Sequence, residues 1–148
     1  MPTFRTASEE ETIALGERLA HELQRRAVVL LVGNLGAGKT ALAKGIVKGL
    51  GAAEPDEVAS PTFTLIHEYP LEGSDTAAPK VYHIDLYRLD KMNEAAKLGL
   101  DELFERDAVV LIEWAEKFPE LMPAERIEIR IAAGDGEERE ITVTPITK

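Results

Sequence analysis

The feature that most constrains this 148-residue chain is a run of six apolar residues, Ala27-Val28-Val29-Leu30-Leu31-Val32. It leads directly into Gly33-Asn34-Leu35-Gly36-Ala37-Gly38-Lys39-Thr40. An apolar run without alternation reads as a strand buried on both faces, the kind found in parallel sheets. The next eight residues match G-x-x-x-x-G-K-[ST] without a mismatch. Beyond them Leu42, Ala43, Ile46, Val47 and Leu50 recur at helical spacing over roughly 38–50, and Gly51 sits where such a helix would stop. Strand, glycine-rich loop and helix in that order form a phosphate cradle. Gly33, Gly36 and Gly38 let the backbone wrap tightly with its N–H groups turned inward. The helix N-terminus adds the positive end of its dipole. Asn34, Leu35, Gly36, Ala37, Gly38, Lys39 and Thr40 would line the phosphates. Lys39 reaches the β- and γ-phosphates, and the Thr40 hydroxyl ligates Mg²⁺.

The rest of the chain supplies a frame for that loop. Residues 8–26 read as an amphipathic helix, opened by the capping-box pair Ser8 and Glu11. Residues 52–61 are loop-like, 62–69 a strand, 70–79 a polar loop and 80–85 a strand. A helical, acidic region spans about 90–106 and breaks near Gly99. Residues 108–113 are a second strongly apolar strand. Residues 126–131 and 139–144 alternate, with Asp135-Gly136 as the turn between them, so they form an antiparallel hairpin. There is no internal repeat and no domain boundary. The prediction is one α/β domain over 1–148: three layers, a mixed sheet and a C-terminal antiparallel hairpin.

Composition narrows the function. Lys and Arg number 17 against 27 Asp and Glu, and 17 − 27 gives −10 at pH 7. That balance argues against a dedicated nucleic-acid binder, which needs clustered cations to displace counterions. The absence of cysteine excludes disulfides, thiolate metal sites and a Cys nucleophile. No apolar run reaches the roughly 18 residues of a membrane span, and the N-terminus has no signal-peptide pattern. The expectation is a cytoplasmic protein without membrane contact.

A phosphate-binding loop needs a carboxylate across the sheet to hold Mg²⁺ or its waters. Two candidates end apolar strands: Asp85 after Val81-Tyr82-His83-Ile84, and Glu113 after Ala108 to Ile112. Either could hold the metal and either could orient the attacking water; a strand-end cap and a strand-end salt bridge are their plainer readings. Ser60-Pro61-Thr62 lies where nucleotide switches place a Thr that senses the γ-phosphate, though as a tripeptide it is an ordinary turn. Trp114, the sole tryptophan, follows Glu113 and on its own reads as a packing residue. His21, His67 and His83 show no metal-ligand spacing; His21 belongs to a helix face and the other two to strands.

In order and spacing, GNLGAGKT, SPTFTL, HIDLYRL, LGLDELF and LIEW resemble the TsaE family, the small bacterial P-loop ATPases of tRNA threonylcarbamoyl-adenosine formation. The resemblance runs from about residue 6 to residue 145, and only the loop 70–79 looks longer than expected. It implies that ATP is the nucleotide, with Lys39 and Thr40 as its phosphate and Mg²⁺ residues. Thr62 would fall in the switch-like segment, Asp85 would match the acid of the DLYR string, and Glu113 the metal- or water-linked acid. Trp114 would be a site or interface residue. It also implies partners: a TsaB–TsaD assembly that performs the threonylcarbamoyl transfer and whose turnover ATP hydrolysis supports, with tRNA met only indirectly. Three rivals fit the loop alone. A small-molecule kinase would need an Arg-rich lid, which the region after Glu113 lacks. A GTPase would need an N-K-x-D string, and there is none. A binding protein without turnover is the third. Arg88 and Arg139 are the candidate arginine fingers, each equally readable as a surface residue.

Overall fold

The computed structural model describes residues 2–23, 26–34, 36–59, 65–70 and 80–146. Its elements are β1 (Thr3–Thr6), α1 (Glu9–Ala20), β2 (Ala27–Val32), α2 (Lys39–Gly49), β3 (Ile66–Pro70), β4 (Lys80–Asp85), α3 (Met92–Ala96), α4 (Leu100–Glu105), β5 (Val109–Glu113), β6 (Arg126–Ala133) and β7 (Arg139–Ile146). The strands form one seven-stranded sheet in the order β1-β7-β6-β2-β5-β4-β3. The central four, β6, β2, β5 and β4, are mutually parallel, and β1, β7 and β3 pair antiparallel at the margins.

The unbroken apolar run of β2 has the consequence its pattern predicts. Val29 and Leu31 face one side and pack with Leu15 and Leu19 of α1 and Leu42, Ile46 and Val47 of α2. Val28 and Leu30 face the other and pack with Ala95, Leu100, Leu103 and Phe118. Helices therefore cover both faces, which makes three layers around a mixed sheet, a P-loop NTPase fold.

Local signals set the helix ends. The Ser8 Oγ accepts from the Glu11 N–H at 3.2 Å, and the Glu11 carboxylate accepts from the Ala7 N–H at 3.0 Å. The box thus closes one residue upstream of its usual backbone partner. At the end of α2, Gly51 adopts φ +78°. The Gly51 N–H bonds the Lys48 carbonyl and the Ala52 N–H bonds the Val47 carbonyl, a complete Schellman motif. Gly99 likewise takes φ +74° and separates α3 from α4. The two long helices cross closely because Gly16 and Gly45 meet there. A Cβ on Gly45 would overlap the Ile13 carbonyl oxygen, and one on Gly16 would lie 2.5 Å from the Leu42 carbonyl oxygen.

Three boundaries differ from expectation. The first helix stops at Ala20, with His21 as its C-cap, six residues before the predicted end. Among the described residues beyond Ala20 only Leu23 packs against the core, and it is only partly buried, so the apolar stripe that would extend the helix thins out there. Residues Thr3–Thr6 form an edge strand on β7 that four residues of sequence do not announce. The hairpin strands run longer than their alternation suggests, to Ala133 and Ile146. The predicted strand 62–69 is seen from Ile66 onward; residues 60–64 and the loop residues 71–79 lie outside the described set.

Candidate functional site

Parallel pairing places the site. β2 lies between β5 and β6, and the chain leaves β2 first toward β4 and later returns on its other flank with β6. Clefts beyond the carboxyl ends of strands at such a switch point are where α/β sheets bind ligands. The glycine-rich loop leaves the carboxyl end of β2. Glu113 ends β5 next to it, and Asp85 ends β4 in register with Glu113. A cavity of about 450 Å³ opens there, lined among others by Gly38, Lys39, Thr40, Asp85, Glu113 and Trp114.

The described residues of the loop turn tightly. The Ala37 N–H bonds the Asn34 carbonyl at 3.0 Å. Gly36 and Gly38 take φ +80° and +109°, values that side chains disfavour. Gly38 caps α2 with no side-chain cap, so the helix's first N–H groups point out of its end. Arg139 of β7, which also lines the cavity, ties the loop down. Its Nε donates to the Ala37 carbonyl at 2.8 Å, and its Nη1 donates to the Gly136 and Glu138 carbonyls at 2.9 and 2.7 Å. The side chain of this candidate finger thus binds loop and turn carbonyls while lining the cavity. Arg88, the other candidate, is exposed in the segment after β4.

Lys39 is the most unusual side chain in the molecule. It is 4% exposed, and its ammonium has no hydrogen-bond partner among the described residues. The Nζ sits 3.5 Å from the centroid of the Trp114 ring. Burial lowers its pKa below 10.5, and the charges of Glu113, Glu116 and Asp85 only partly oppose that shift. A buried cation with three unused donors suits an anion of several acceptor oxygens. Trp114 itself holds φ +65°, a strained setting for a bulky residue, and packs against Tyr87 with ring centroids 5.0 Å apart.

The two acids are held differently. Asp85 Oδ1 accepts from the Tyr87 N–H at 2.8 Å, so it caps the turn after its strand as well as lining the cavity. Glu113, 3% exposed, bonds through Oε2 to His83 Nε2 at 2.6 Å. Sequence reasoning gave His83 no part in the site. The available signal was strand alternation, which puts residue 83 on the same face as residue 85. His67 lies on edge strand β3 beside Tyr69, whose hydroxyl is 3.3 Å from its Nδ1. No cluster of three or more metal-binding acids or histidines exists among the described residues. Hydroxyl and carboxylate oxygens, which Thr40, Asp85 and Glu113 bring to the cavity, are the donor class Mg²⁺ takes, and that ion keeps several waters. Leu35 and Thr62 lie outside the described residues, and Asn34 is exposed on the loop. Glu9, Thr12, Tyr87 and Glu137, none of them proposed for the site from sequence, also line the cavity.

Comparison with known proteins agrees with this geometry. Residues 6–141 match the family model "Threonylcarbamoyl adenosine biosynthesis protein TsaE". The chain is 43% identical to the tRNA threonylcarbamoyladenosine biosynthesis protein TsaE of Bacillus subtilis, over 97% of this chain and 85% of that protein. It is 41% identical to the protein of the same name from Nostoc sp., over 94% of this chain and 83% of that one. A crystal structure of Bacillus subtilis YdiB superposes with a TM-score of 0.78 at 38% identity, covering 99% of this chain and 86% of that one.

Proposed function

The chain belongs to the TsaE family of threonylcarbamoyl adenosine biosynthesis proteins, and from that premise we propose that it is a Mg²⁺-dependent ATPase. Its hydrolysis would support a TsaB–TsaD assembly in modifying tRNA. One observation carries the reading above the others: a buried ammonium without a hydrogen bond, inside a glycine-rich loop, facing two carboxylates in register.

The residues divide the work. Backbone N–H groups from Gly36 to Thr40 cradle the phosphates, and Lys39 leaves the Trp114 face to meet the β- and γ-oxygens. Thr40, with Asp85 and Glu113, would hold Mg²⁺ and its waters. The ion, when bound, neutralises charge on the transferred phosphoryl group. Either carboxylate would also align the attacking water. Arg139 is committed to three loop and turn carbonyls. It keeps the cradle rigid; if neither Arg139 nor Arg88 reaches the γ-phosphate, the protein alone hydrolyses slowly. Thr62, in the switch-like segment, would sense the γ-phosphate. A charge of −10 makes tight tRNA binding by this chain unfavourable, so the partner surface is protein.

The test measures affinity for purified TsaB–TsaD with an ATP analogue, with ADP and without nucleotide, alongside ATP turnover in the mixture. Association should depend on the nucleotide, and Thr62→Ala should blunt that dependence more than it blunts ATP binding. Equal affinities in the three states would refute the switch. Tight, salt-sensitive binding to bare tRNA would refute the protein-partner assignment.

A further inference from the structure

His83 is completely buried, and the mechanism above does not use it. We infer that it is a positioning residue: its Nε2–H fixes the Glu113 carboxylate through Oε2, so that Glu113 meets the metal or one of its bound waters with one defined oxygen. The inference rests on the role proposed for Glu113.

The sheet register makes the contact. Asp85 pairs with Glu113, and His83 pairs with Leu111. Successive side chains alternate, so residues 83, 85, 111 and 113 face the same side, toward α2. His83 thus lies one step below the carboxylate row and reaches diagonally across to Glu113 at 2.6 Å. That is shorter than the roughly 2.7–2.9 Å of most charge-assisted N–H···O bonds, so the two groups are in close, direct contact. A carboxylate can only accept, and His83 Nδ1 has no hydrogen-bond partner among the described residues. The proton therefore sits on Nε2. Both core clusters around these strands are apolar. A ring that leaves one nitrogen unsatisfied there stabilises the fold less than an apolar side chain of its size would. What the imidazole alone supplies is a donor aimed at Glu113.

The asymmetry between the acids shows why a donor is needed. Asp85 is short and is oriented by the Tyr87 N–H of its own turn. Glu113 has one more rotatable bond, and the bond to His83 on the neighbouring strand is the one its carboxylate makes among the described residues. Partners that orient a metal-side carboxylate in this way are worth about 10–100-fold in metal affinity or activity.

His83→Leu removes the donor and keeps apolar bulk. His83→Gln places an amide N–H near the position of Nε2. ADP affinity is measured by calorimetry with EDTA and across a Mg²⁺ series, and ATP hydrolysis gives kcat and KM. His83→Leu should bind ADP in EDTA as the parent does and need about 10–100-fold more Mg²⁺. Its kcat should fall over the same range with KM little changed, and His83→Gln should recover most of both. In a Glu113→Ala background His83→Leu should add nothing. Equal Mg²⁺ dependence in the Leu and Gln variants, or additive losses with Glu113→Ala, would overturn the assignment. Should His83→Leu fail to fold, imidazole nitrogen NMR of the parent decides. The Nε2–H tautomer, with signals that move in Glu113→Ala, supports it; an Nδ1–H tautomer or unmoved signals overturn it. If the parent binds no nucleotide, the ATPase reading falls while the imidazole spectrum still reports on the pair.

Discussion

Replacing Lys39 with Met should make the protein more stable and less active at once. Lys39 is 4% exposed, and its ammonium has no hydrogen bond among the described residues. Taking an ion out of water costs several kcal/mol even after relaxation, and the Trp114 face 3.5 Å away returns about 2 kcal/mol. Glu113, Glu116 and Asp85 add attraction, yet the net pKa shift is downward, so the folded protein disfavours the ammonium relative to a neutral side chain. Met has similar length and no charge. The expected gain without nucleotide is about 1–2 kcal/mol, or roughly 2–8 °C in Tm for a domain of this size. Saturating Mg²⁺–ATP should reverse the order. At 100-fold over Kd a ligand adds about 2.7 kcal/mol, and the variant lacks charge-assisted contacts worth about 1.5–3 kcal/mol each. Turnover should fall by at least one to two orders of magnitude. The pH dependence has a definite sign. A lysine whose folded pKa lies below its unfolded 10.5 leaves the unfolded chain holding more protons between the two values. Stability of the parent therefore rises with pH through that window. The Met variant lacks this rise, so its advantage shrinks there. Thermal melts of both proteins, with and without Mg²⁺–ATP, at neutral pH and in that window, make the assay. A Met variant that melts below the parent without nucleotide would refute the burial argument. Near-normal turnover would refute the phosphate cradle.

Three further expectations follow from the geometry. Asp85→Ala and Glu113→Ala should both impair hydrolysis and at least one should weaken Mg²⁺-dependent nucleotide binding; if neither changes either quantity, both acids are structural. Trp114 emission should change on adding Mg²⁺ with ATP or ADP, because the Lys39 ammonium leaves its ring; a flat titration under proven binding would place the indole outside the response. Gly45→Ala should cost about 3 kcal/mol, the upper end of overpacking, because its Cβ would meet Ile13 backbone and not a movable side chain; a melt within about 1 kcal/mol of the parent would show that α1 and α2 can separate freely.

The parts of this protein legible in its sequence are those governed by neighbours in the chain. Glycines at 33, 36 and 38 and the lysine after them determine a loop on their own, because turn sterics and the start of a helix are local. The unbroken run 27–32 announced a strand with two covered faces, and the helices lie on both. Asp85 and Glu113 were findable because an acid at the end of an apolar strand is a local anomaly. What only the tertiary structure decided are the pairings between distant segments. Strand order put β2 between β5 and β6 and set Asp85 opposite Glu113. It brought His83 under a carboxylate 30 residues away and Arg139 onto the loop carbonyl of Ala37, 102 residues away. It also laid Lys39 on the face of Trp114. The physical reason is that parallel strands are joined through long crossovers. Their register is set by packing both faces of the whole sheet at once, and that information is spread over all its strands and confined to none.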